Sequence, residues 1–222
     1  MSARPSHAAK THVERPTSGP SQAARGRGEV RLIGGFWKRI KLKVADKPGL
    51  RPTPDRVRET LFNWLGQDLR GWRCLDAFAG SGALGLEAVS RGAAEVLLVE
   101  NDTRVVAQLQ QVVAHLQTLQ LPSAVTPGVV RVQRGSGLEV LRRMPTRCMD
   151  LVFLDPPFDA GLFEDALAAA SQALASNGRL YLESPAAWND ARLERFDLAV
   201  VRHMKAGMVH AHLLRHRPAT TA

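Results

Sequence analysis

The chain has 222 residues, 45% of them hydrophobic, which suits one domain with a sizeable core. Lysine and arginine number 30 against 21 acidic residues, so the net charge of +9 makes a polyanionic partner a leading possibility. The two cysteines cannot form a disulfide framework, and we expect buried, reduced thiols. No apolar run reaches the roughly 18 residues of a membrane span, and no signal peptide is recognisable. These features predict a soluble, cytoplasmic protein without a membrane partner.

The N-terminal quarter of the chain is divided into two parts. Residues 1–28 are rich in small residues and proline, carry a net charge of +4 and are predicted to be a disordered basic tail. Such a tail is either merely solvated or an arm that binds nucleic acid. Residues 29–52 are predicted to form a β-hairpin extension, because the apolar side chains between Val30 and Val44 alternate with basic ones.

The first helix is predicted to run to about Leu65. Thr53 is expected to be its N-cap, with Pro54 at the first helical position and Gly66 as the stop. One face is apolar, whereas the opposite face is polar and faces either water or a ligand. The polar face consists of Arg56, Glu59 and Asn63.

Residues 53–217 are predicted to form one α/β domain, followed by a short tail at 218–222. Short apolar strands alternate with helices, which predicts a doubly wound, mostly parallel sheet covered on both sides. An antiparallel hairpin is expected to finish the sheet, since no helix separates its last two strands. The predicted strands are 74–78, 96–99, 129–132, 151–154, 179–182, 198–202 and 208–214, and the helices are 83–91, 103–119 and 162–175.

A glycine loop follows the first strand of this sheet. Asp76 ends the strand, and Gly80 and Gly82 allow a tight turn and the close approach of a ligand to the backbone. Glu100 ends the next strand, where an acid can bind the hydroxyl groups of a ribose. The loop alone fits either NAD or S-adenosylmethionine. Asp76 adds a carboxylate suited to the amino end of a methionyl group, which NAD lacks.

The sequence Asp155-Pro156-Pro157-Phe158 ends a second buried strand. An exocyclic amino group of a nucleobase must be held by its two N–H bonds before it can attack a methyl group. Asp155 and the backbone carbonyl of Pro156 supply two acceptors on a rigid turn, and Phe158 offers a stacking face. The combination with the glycine loop favours methyl transfer to a nucleobase.

Together these segments resemble the RsmD family of bacterial methyltransferases, which modify the exocyclic N2 of a guanine in small-subunit (16S) ribosomal RNA. The resemblance covers about residues 30–215, and residues 51–63 separate this family from other methyltransferases with the same Asp-Pro-Pro-Phe sequence. It implies a class I, Rossmann-like methyltransferase with a seven-stranded sheet and S-adenosyl-L-methionine as cofactor. The segments that carry it are 31–35, 51–53, 55–63, 76–85, 100–102, 155–158 and 182–184.

The resemblance also implies the roles of individual residues. The expected catalytic residues are Asp155, Pro156, Pro157 and Phe158. Expected at the cofactor are Thr53, Asp76, Phe78, Gly80, Ser81, Gly82, Glu100, Asn101, Asp102 and Ser136. Ser136 stands where relatives usually place Asn or Asp beside the adenine, and Asp102 is equally well explained as a helix N-cap. Expected at the RNA are Lys38, Arg39, Lys41, Arg51, Arg56, Arg58 and Asn63.

The predicted reaction is a direct in-line methyl transfer by a monomer, without a metal or a covalent enzyme intermediate. The predicted partner is 16S ribosomal RNA within a small-subunit particle. The four histidines of the last hairpin are expected to be solvated or to face RNA, since no cysteine or carboxylate clusters with them. The alternatives are an adenine-N6 DNA methyltransferase, a non-catalytic RNA-binding or assembly factor, and an NAD oxidoreductase.

The basic charge is concentrated before the glycine loop. Residues 29–58 carry +6 in addition to the +4 of the tail, and the remaining 164 residues sum to −1. We therefore expect the tail, the hairpin and the start of the first helix to hold the phosphate backbone, while the nearly neutral domain holds the cofactor.

Overall fold

The computed structural model describes residues 28–43, 53–158 and 160–218. Nine strands and six helices are assigned within these ranges, and a turn of 3₁₀ helix follows the last α-helix. In chain order they are β1 (Glu29–Arg31), β2 (Lys41–Lys43), α1 (Asp55–Leu65), β3 (Arg73–Asp76), α2 (Ala83–Ser90), β4 (Glu95–Glu100), α3 (Thr103–Thr118), β5 (Val129–Arg134), α4 (Gly137–Arg143), β6 (Met149–Leu154), α5 (Phe163–Ala173), β7 (Leu174–Ser184), α6 (Asp190–Leu193), β8 (Leu198–Ala206) and β9 (Val209–His216).

The main sheet has seven strands in the order β5-β4-β3-β6-β7-β9-β8. Its first five strands pair in parallel, and β9 is antiparallel to both of its neighbours. The predicted doubly wound sheet with a final hairpin is therefore confirmed. No helix among the described residues is both long and apolar enough to cross a bilayer.

Two helical layers cover this sheet because the side chains of the buried strands alternate between its faces. Cys74 and Leu151 pack with α1, α2 and α3, whereas Leu75 and Val152 pack with α4, α5 and α6. Since both faces are covered, the buried positions between the ends of the central strands β3 and β6 are apolar. Polar residues are left for the strand ends.

The predicted N-terminal hairpin is confirmed as the pair β1 and β2, with Val30 opposite Leu42. We call residues 29–43 the extension. Leu32, Trp37 and Leu42 are buried in the same core as α1, α2 and α3, so the extension packs into the domain. Residues 1–27, 44–52 and 219–222 lie outside the described residues, and the predictions for the tails and for Arg51 remain predictions.

Helix α1 begins one residue later than predicted. Its N-cap is Pro54, which contributes no side-chain hydrogen bond, and the helix proper starts at Asp55. The prediction of Thr53 as N-cap is therefore wrong. Its hydroxyl is turned towards β7, where it donates to Glu183 at 2.8 Å.

Two helices were absent from the predictions, α4 and the four-residue α6. Helix α4 is short and starts at a glycine, so its apolar periodicity is weak. The available signal was Ser136 followed by Glu139 three residues later, a spacing typical of a helix N-terminus. Indeed, the Ser136 hydroxyl accepts the N–H of Glu139 at 3.4 Å. The adenine contact expected of Ser136 remains a prediction.

The expectation for the cysteines is confirmed only in part. Both are free thiols, but Cys74 is buried whereas Cys148 is only half-buried. Cys148 precedes β6 in a loop at the amino end of the sheet, so its apolar sequence neighbours do not enclose it.

Candidate active site

Four acidic side chains lie at the carboxyl ends of adjacent strands. Asp76 and Glu100 end β3 and β4, Asp155 directly follows β6, and Glu183 lies near the end of β7. The chain winds outward from β3 through β4 and β5 and then crosses back to β6, so the winding reverses between β3 and β6. Ligands of doubly wound proteins bind in the crevice at such a reversal. The fold thus brings together the two motifs that are separated by about 80 residues in the sequence.

The loop after β3 requires glycine, either because of its backbone conformation or because a side chain would clash. Gly80 and Gly82 have φ angles of +49° and +75°, in the left-handed region that favours glycine. A Cβ atom on Gly85 would lie 2.3 Å from Leu98 Cδ2, so this glycine lets α2 pack closely on β4. The carboxylate of Asp76 accepts the Gly85 N–H at 3.1 Å and fixes the first turn of α2.

The carboxyl group of Asp76 is buried, and this burial raises its pKa to about 7. The nearby charges of Glu100 and Glu183 act in the same direction, while hydrogen bonds from the Gly85 and Phe78 backbone partly oppose them. A buried carboxyl of this kind favours a cationic partner, since a positive charge stabilises its ionised form. The site therefore fits the amino group of a methionyl ligand.

Glu100 connects the glycine loop to the start of α3. Its carboxylate accepts the backbone N–H of Gly80 at 3.0 Å and that of Asp102 at 2.8 Å. Asp102 in turn caps α3, because its side chain accepts the N–H groups of Arg104 and Val105. The N-cap interpretation of Asp102 is confirmed, and the cofactor contacts of Asp102 and Glu100 remain predictions.

The Asp155–Phe158 turn presents an acceptor and an aromatic face side by side. No hydrogen-bond partner for the Asp155 carboxylate lies within the described part of the chain, so both oxygens are available to a substrate. Burial and the charges of Glu183 and Asp76 raise its pKa well above the usual range. Pro156 is buried, whereas Phe158 is 40% exposed, with its ring centroid 6.2 Å from that of Phe163.

Glu183 is a site residue that the sequence-based predictions did not include. It is buried and accepts hydrogen bonds from the hydroxyls of Thr53 and Tyr181, both at 2.8 Å. Because Leu154 pairs with Leu182, Asp155 and Glu183 occupy neighbouring positions on the two strands. The signal was a charged residue at the end of an apolar strand, which is rarely placed inside without a role.

Arg58 lies inside the protein. Its guanidinium is fully buried and donates to the carbonyls of Thr53 and Arg31 at 3.1 and 2.9 Å. It also lies 3.6 Å from the buried carboxylate of Glu87. The expected contact of Arg58 with RNA is therefore wrong, because none of its surface is accessible. Its role is to join the extension to α1 and α2.

The extension is bonded directly to α2. The Glu87 carboxylate accepts the N–H of Ile33 at 2.8 Å, and the Ser90 hydroxyl accepts that of Trp37 at the same distance. Gly35, with a φ of +68°, lies so close that an added Cβ atom would be 1.7 Å from the Ser90 carbonyl oxygen. The extension is thereby held against the helix that begins at the glycine loop.

The other expected RNA-contact residues that the structure describes lie on the surface. Lys38, Arg39 and Lys41 are exposed on the extension, and Arg56 and Asn63 are exposed on α1. Of these, Lys41 pairs with Glu29 at 2.9 Å. The basic face of the extension is therefore accessible to a phosphate backbone, in contrast to Arg58.

Three of the four histidines of the last hairpin form a stack of rings. The centroid of His203 lies 5.2 Å from that of His210 and 4.6 Å from that of His212. His212 is fully buried and accepts the N–H of Trp188 at 3.0 Å, so the expectation of a solvated or RNA-facing side chain is wrong for this residue. Among the described residues, no group of His, Cys, Asp or Glu is arranged to hold a metal.

A doubly wound sheet with a glycine loop after β3 and an Asp-Pro-Pro-Phe turn after β6 defines a class I methyltransferase that uses S-adenosylmethionine. Comparison with known proteins narrows this class. A family model described as conserved hypothetical protein 95 matches residues 30–215. The chain belongs to this family, which is the RsmD family that its sequence resembles.

Curated relatives and a solved structure agree with this assignment. Ribosomal RNA small subunit methyltransferase D of Escherichia coli K12 is 46% identical over 161 residues, covering 72% of this chain and 76% of the relative. The protein of the same name from Haemophilus influenzae is 43% identical over 166 residues, covering 73% and 82%. The solved Escherichia coli protein yhhF superposes with a TM-score of 0.70 at 36% identity, over 86% of this chain and 99% of that one.

Proposed function

We propose that this protein methylates the exocyclic N2 of a guanine in small-subunit ribosomal RNA, acting in the cytoplasm as a monomer on a small-subunit particle. The observation that carries the proposal is the Asp155–Phe158 turn, which lies beside the glycine loop at the winding reversal. The names of the curated relatives support ribosomal RNA of the small subunit as the substrate. The accessible basic face of the extension supports a polyanionic partner.

The residues present fit the proposed cofactor. Gly80 and Gly82 have positive φ angles and no side chains, which allows a ligand to approach the loop backbone closely. Asp76 supplies a buried carboxyl suited to a cationic amino group. Asp76, Gly80 and Gly82 would hold the methionyl part, and Glu100 the ribose hydroxyls. When bound, the cofactor supplies a methyl group on a positively charged sulfur, which is electrophilic without assistance from a metal.

The reacting amine is prepared by Asp155 and Pro156. The Asp155 carboxylate accepts one N–H of the guanine amine and the Pro156 carbonyl accepts the other, while the guanine ring stacks on Phe158. This geometry points the nitrogen lone pair towards the methyl group. Once the C–N bond forms, the nitrogen is cationic and acidic, and Asp155 takes its extra proton. Its raised pKa suits that role, because the proton then rests on a group with substantial affinity for it.

Methyl transfer can be tested with radiolabelled S-adenosylmethionine and small ribosomal subunits that lack the modification. We expect label in the RNA, and digestion to nucleosides should place it on N2-methylguanosine. Asp155→Asn should retain cofactor binding and lose most of the transfer. Label in N6-methyladenosine of DNA would support the adenine-directed alternative, and cofactor binding without transfer to any nucleic acid would support a non-catalytic RNA-binding factor.

A further inference from the structure

A pocket of about 360 Å³ opens between the extension, α1 and the end of α2. Its walls are polar, and its volume is within the range of small-molecule sites. It is lined by Ile33, Gly34, Gly35, Lys38, Glu59, Asn63, Gln67 and Arg91.

The pocket contains both charges that a nucleotide would require. Lys38 and Glu59 are exposed on opposite elements, and neither has an ion-pair partner within 28–43, 53–158 and 160–218. The side-chain oxygen of Asn63 accepts a hydrogen bond from Gln67, which leaves the Asn63 N–H groups for another partner. An ammonium, a carboxylate and an amide are therefore available together.

The pocket is rigid on one side. Arg91 is held by the carboxylate of Glu87 at 2.8 Å and by the side chain of Gln67, and its guanidinium is 4.6 Å from the Phe62 ring centroid. A Cβ atom on Gly34 would lie 2.1 Å from the Arg91 guanidinium, so the loop of the extension lies directly on it. This wall is preorganised, which lowers the cost of ordering side chains around a ligand.

The pocket is separate from the proposed cofactor site but connected to it by α1. Arg91 follows the last residue of α2, about 12 Å along the helix axis from the glycine loop at 1.5 Å per residue. At the start of α1, Thr53 touches Glu183, and towards its end Asn63 lines the pocket. Arg56, Glu59 and Asn63 lie along the exposed face between these two points.

We propose that this pocket binds a second, unpaired nucleotide of the RNA substrate, near the guanine that is methylated. Its base donates N–H bonds to the Glu59 carboxylate, and its phosphate pairs with the Lys38 ammonium. This proposal rests on the proposed methylation of RNA. A carboxylate accepts from the edge of a base, whereas lysine pairs with phosphate without regard to sequence. A free nucleotide has the same chemistry, and the experiment below separates the two sources.

The sharpest test is the variant Glu59→Gln. A surface that acts only through its charge and a carboxylate that holds a base predict opposite changes in RNA affinity. Removing a negative charge strengthens RNA binding if the surface acts only through its charge. If the carboxylate holds a base, the substitution should weaken binding of unmethylated small-subunit RNA about tenfold. The KM for RNA should rise with kcat unchanged, and the affinity for S-adenosylmethionine should not change. Unchanged or tighter RNA binding by Glu59→Gln would overturn the proposal.

Two control variants lie on α4, on the opposite face of the sheet. Glu139→Gln and Arg143→Ala match the charge changes of Glu59→Gln and Lys38→Ala, and both residues are exposed. Lys38→Ala should weaken RNA binding and reduce the dependence of log K on log salt by about 0.7, as expected for one lost phosphate contact to a single strand. The α4 variants should leave both quantities unchanged, and an equal effect of Arg143→Ala would contradict a defined site.

The bound nucleotide can be located with RNA that carries one abasic position at a time beside the target guanine. At the correct position, wild type and Glu59→Gln should bind equally, because the contact is already absent. If no such position exists, the proposal is overturned. Tight binding of free guanosine monophosphate, abolished by Glu59→Gln without any effect on RNA binding, would also overturn it. If wild type fails to methylate RNA at all, the proposed function fails; if it methylates normally and Glu59→Gln behaves as wild type, only the pocket proposal fails.

Discussion

Asp76 makes cofactor binding dependent on pH in a direction that the structure determines. Burial raises the pKa of this carboxyl to about 7 in the free protein, and the ionised form is the one that pairs with the cationic amino group of the cofactor. One unit below that pKa, only about one-tenth of the molecules are ionised, so the affinity at pH 6 should be about tenfold lower than its limit above pH 8. Asp76→Asn should bind weakly at every pH.

Titration calorimetry at pH 6, 7 and 8 provides the measurement. At pH 6, in buffers of different ionisation enthalpy, about 0.9 proton should be released for each cofactor bound, since a group with a pKa of about 7 must ionise on binding. The release should fall towards zero above pH 8. Equal affinity for wild type at pH 6 and pH 8, or equal slopes for wild type and Asp76→Asn, would refute the reasoning.

The raised pKa of Asp76 also makes the free energy of unfolding depend on pH. Because the folded-state pKa is raised, the folded protein keeps a proton that the unfolded chain loses above about pH 4. The free energy of unfolding therefore falls as the pH rises from about 4 to 7. For a fully buried group the change is on the order of 4 kcal/mol. Urea denaturation should show a shallower fall for Asp76→Asn than for wild type over this window.

Three further predictions concern the core, the loop and the tail. Arg58→Met should lower the free energy of unfolding in urea by about 3–5 kcal/mol, because it leaves Glu87 with one partner fewer inside the protein. The control Arg56→Met, at an exposed neighbouring residue, should change this free energy by about 0.5 kcal/mol or less. Equal losses for the two variants would contradict the burial argument. Gly82→Ala and Gly71→Ala should both be destabilised by about 1–3 kcal/mol, because both glycines have positive φ. Only Gly82→Ala should weaken cofactor binding in calorimetry, since only Gly82 lies in the loop proposed to hold the cofactor. Deleting residues 1–27 should weaken RNA binding and its salt dependence while leaving cofactor affinity unchanged, and equal losses in both would refute this division.

The fold was predictable because its signals are local. Buried parallel strands are continuous apolar runs, and the glycine loop and the Asp155–Phe158 turn each end such a run. The two segments meet because the carboxyl ends of parallel strands lie at the same edge of a sheet. The doubly wound parallel sheet, its final antiparallel hairpin and the positions of Asp76 and Asp155 at strand ends were therefore within reach of the sequence.

The contacts that escaped prediction join residues far apart in the chain. Arg58 was predicted to contact RNA because it lies within a basic segment, but its partner Glu87 lies on another helix and cannot be recognised from spacing. The hydrogen bond of Thr53 to Glu183 spans 130 residues, so a Thr-Pro pair could only be interpreted as a local cap. Likewise, His212 on β9 accepts the backbone N–H of Trp188, which lies in the loop between β7 and α6.

The buried contacts between the extension and α2 limit how this enzyme can be recombined with its relatives. A hairpin transplanted at the 52/53 boundary would carry Ile33 and Trp37 but not the Glu87 and Ser90 that receive their N–H groups. A recipient that lacks acceptors at these two positions would leave buried N–H groups without partners. The structural unit formed by the extension and α2 is therefore discontinuous in the gene, because its hydrogen-bond partners lie more than 50 residues apart.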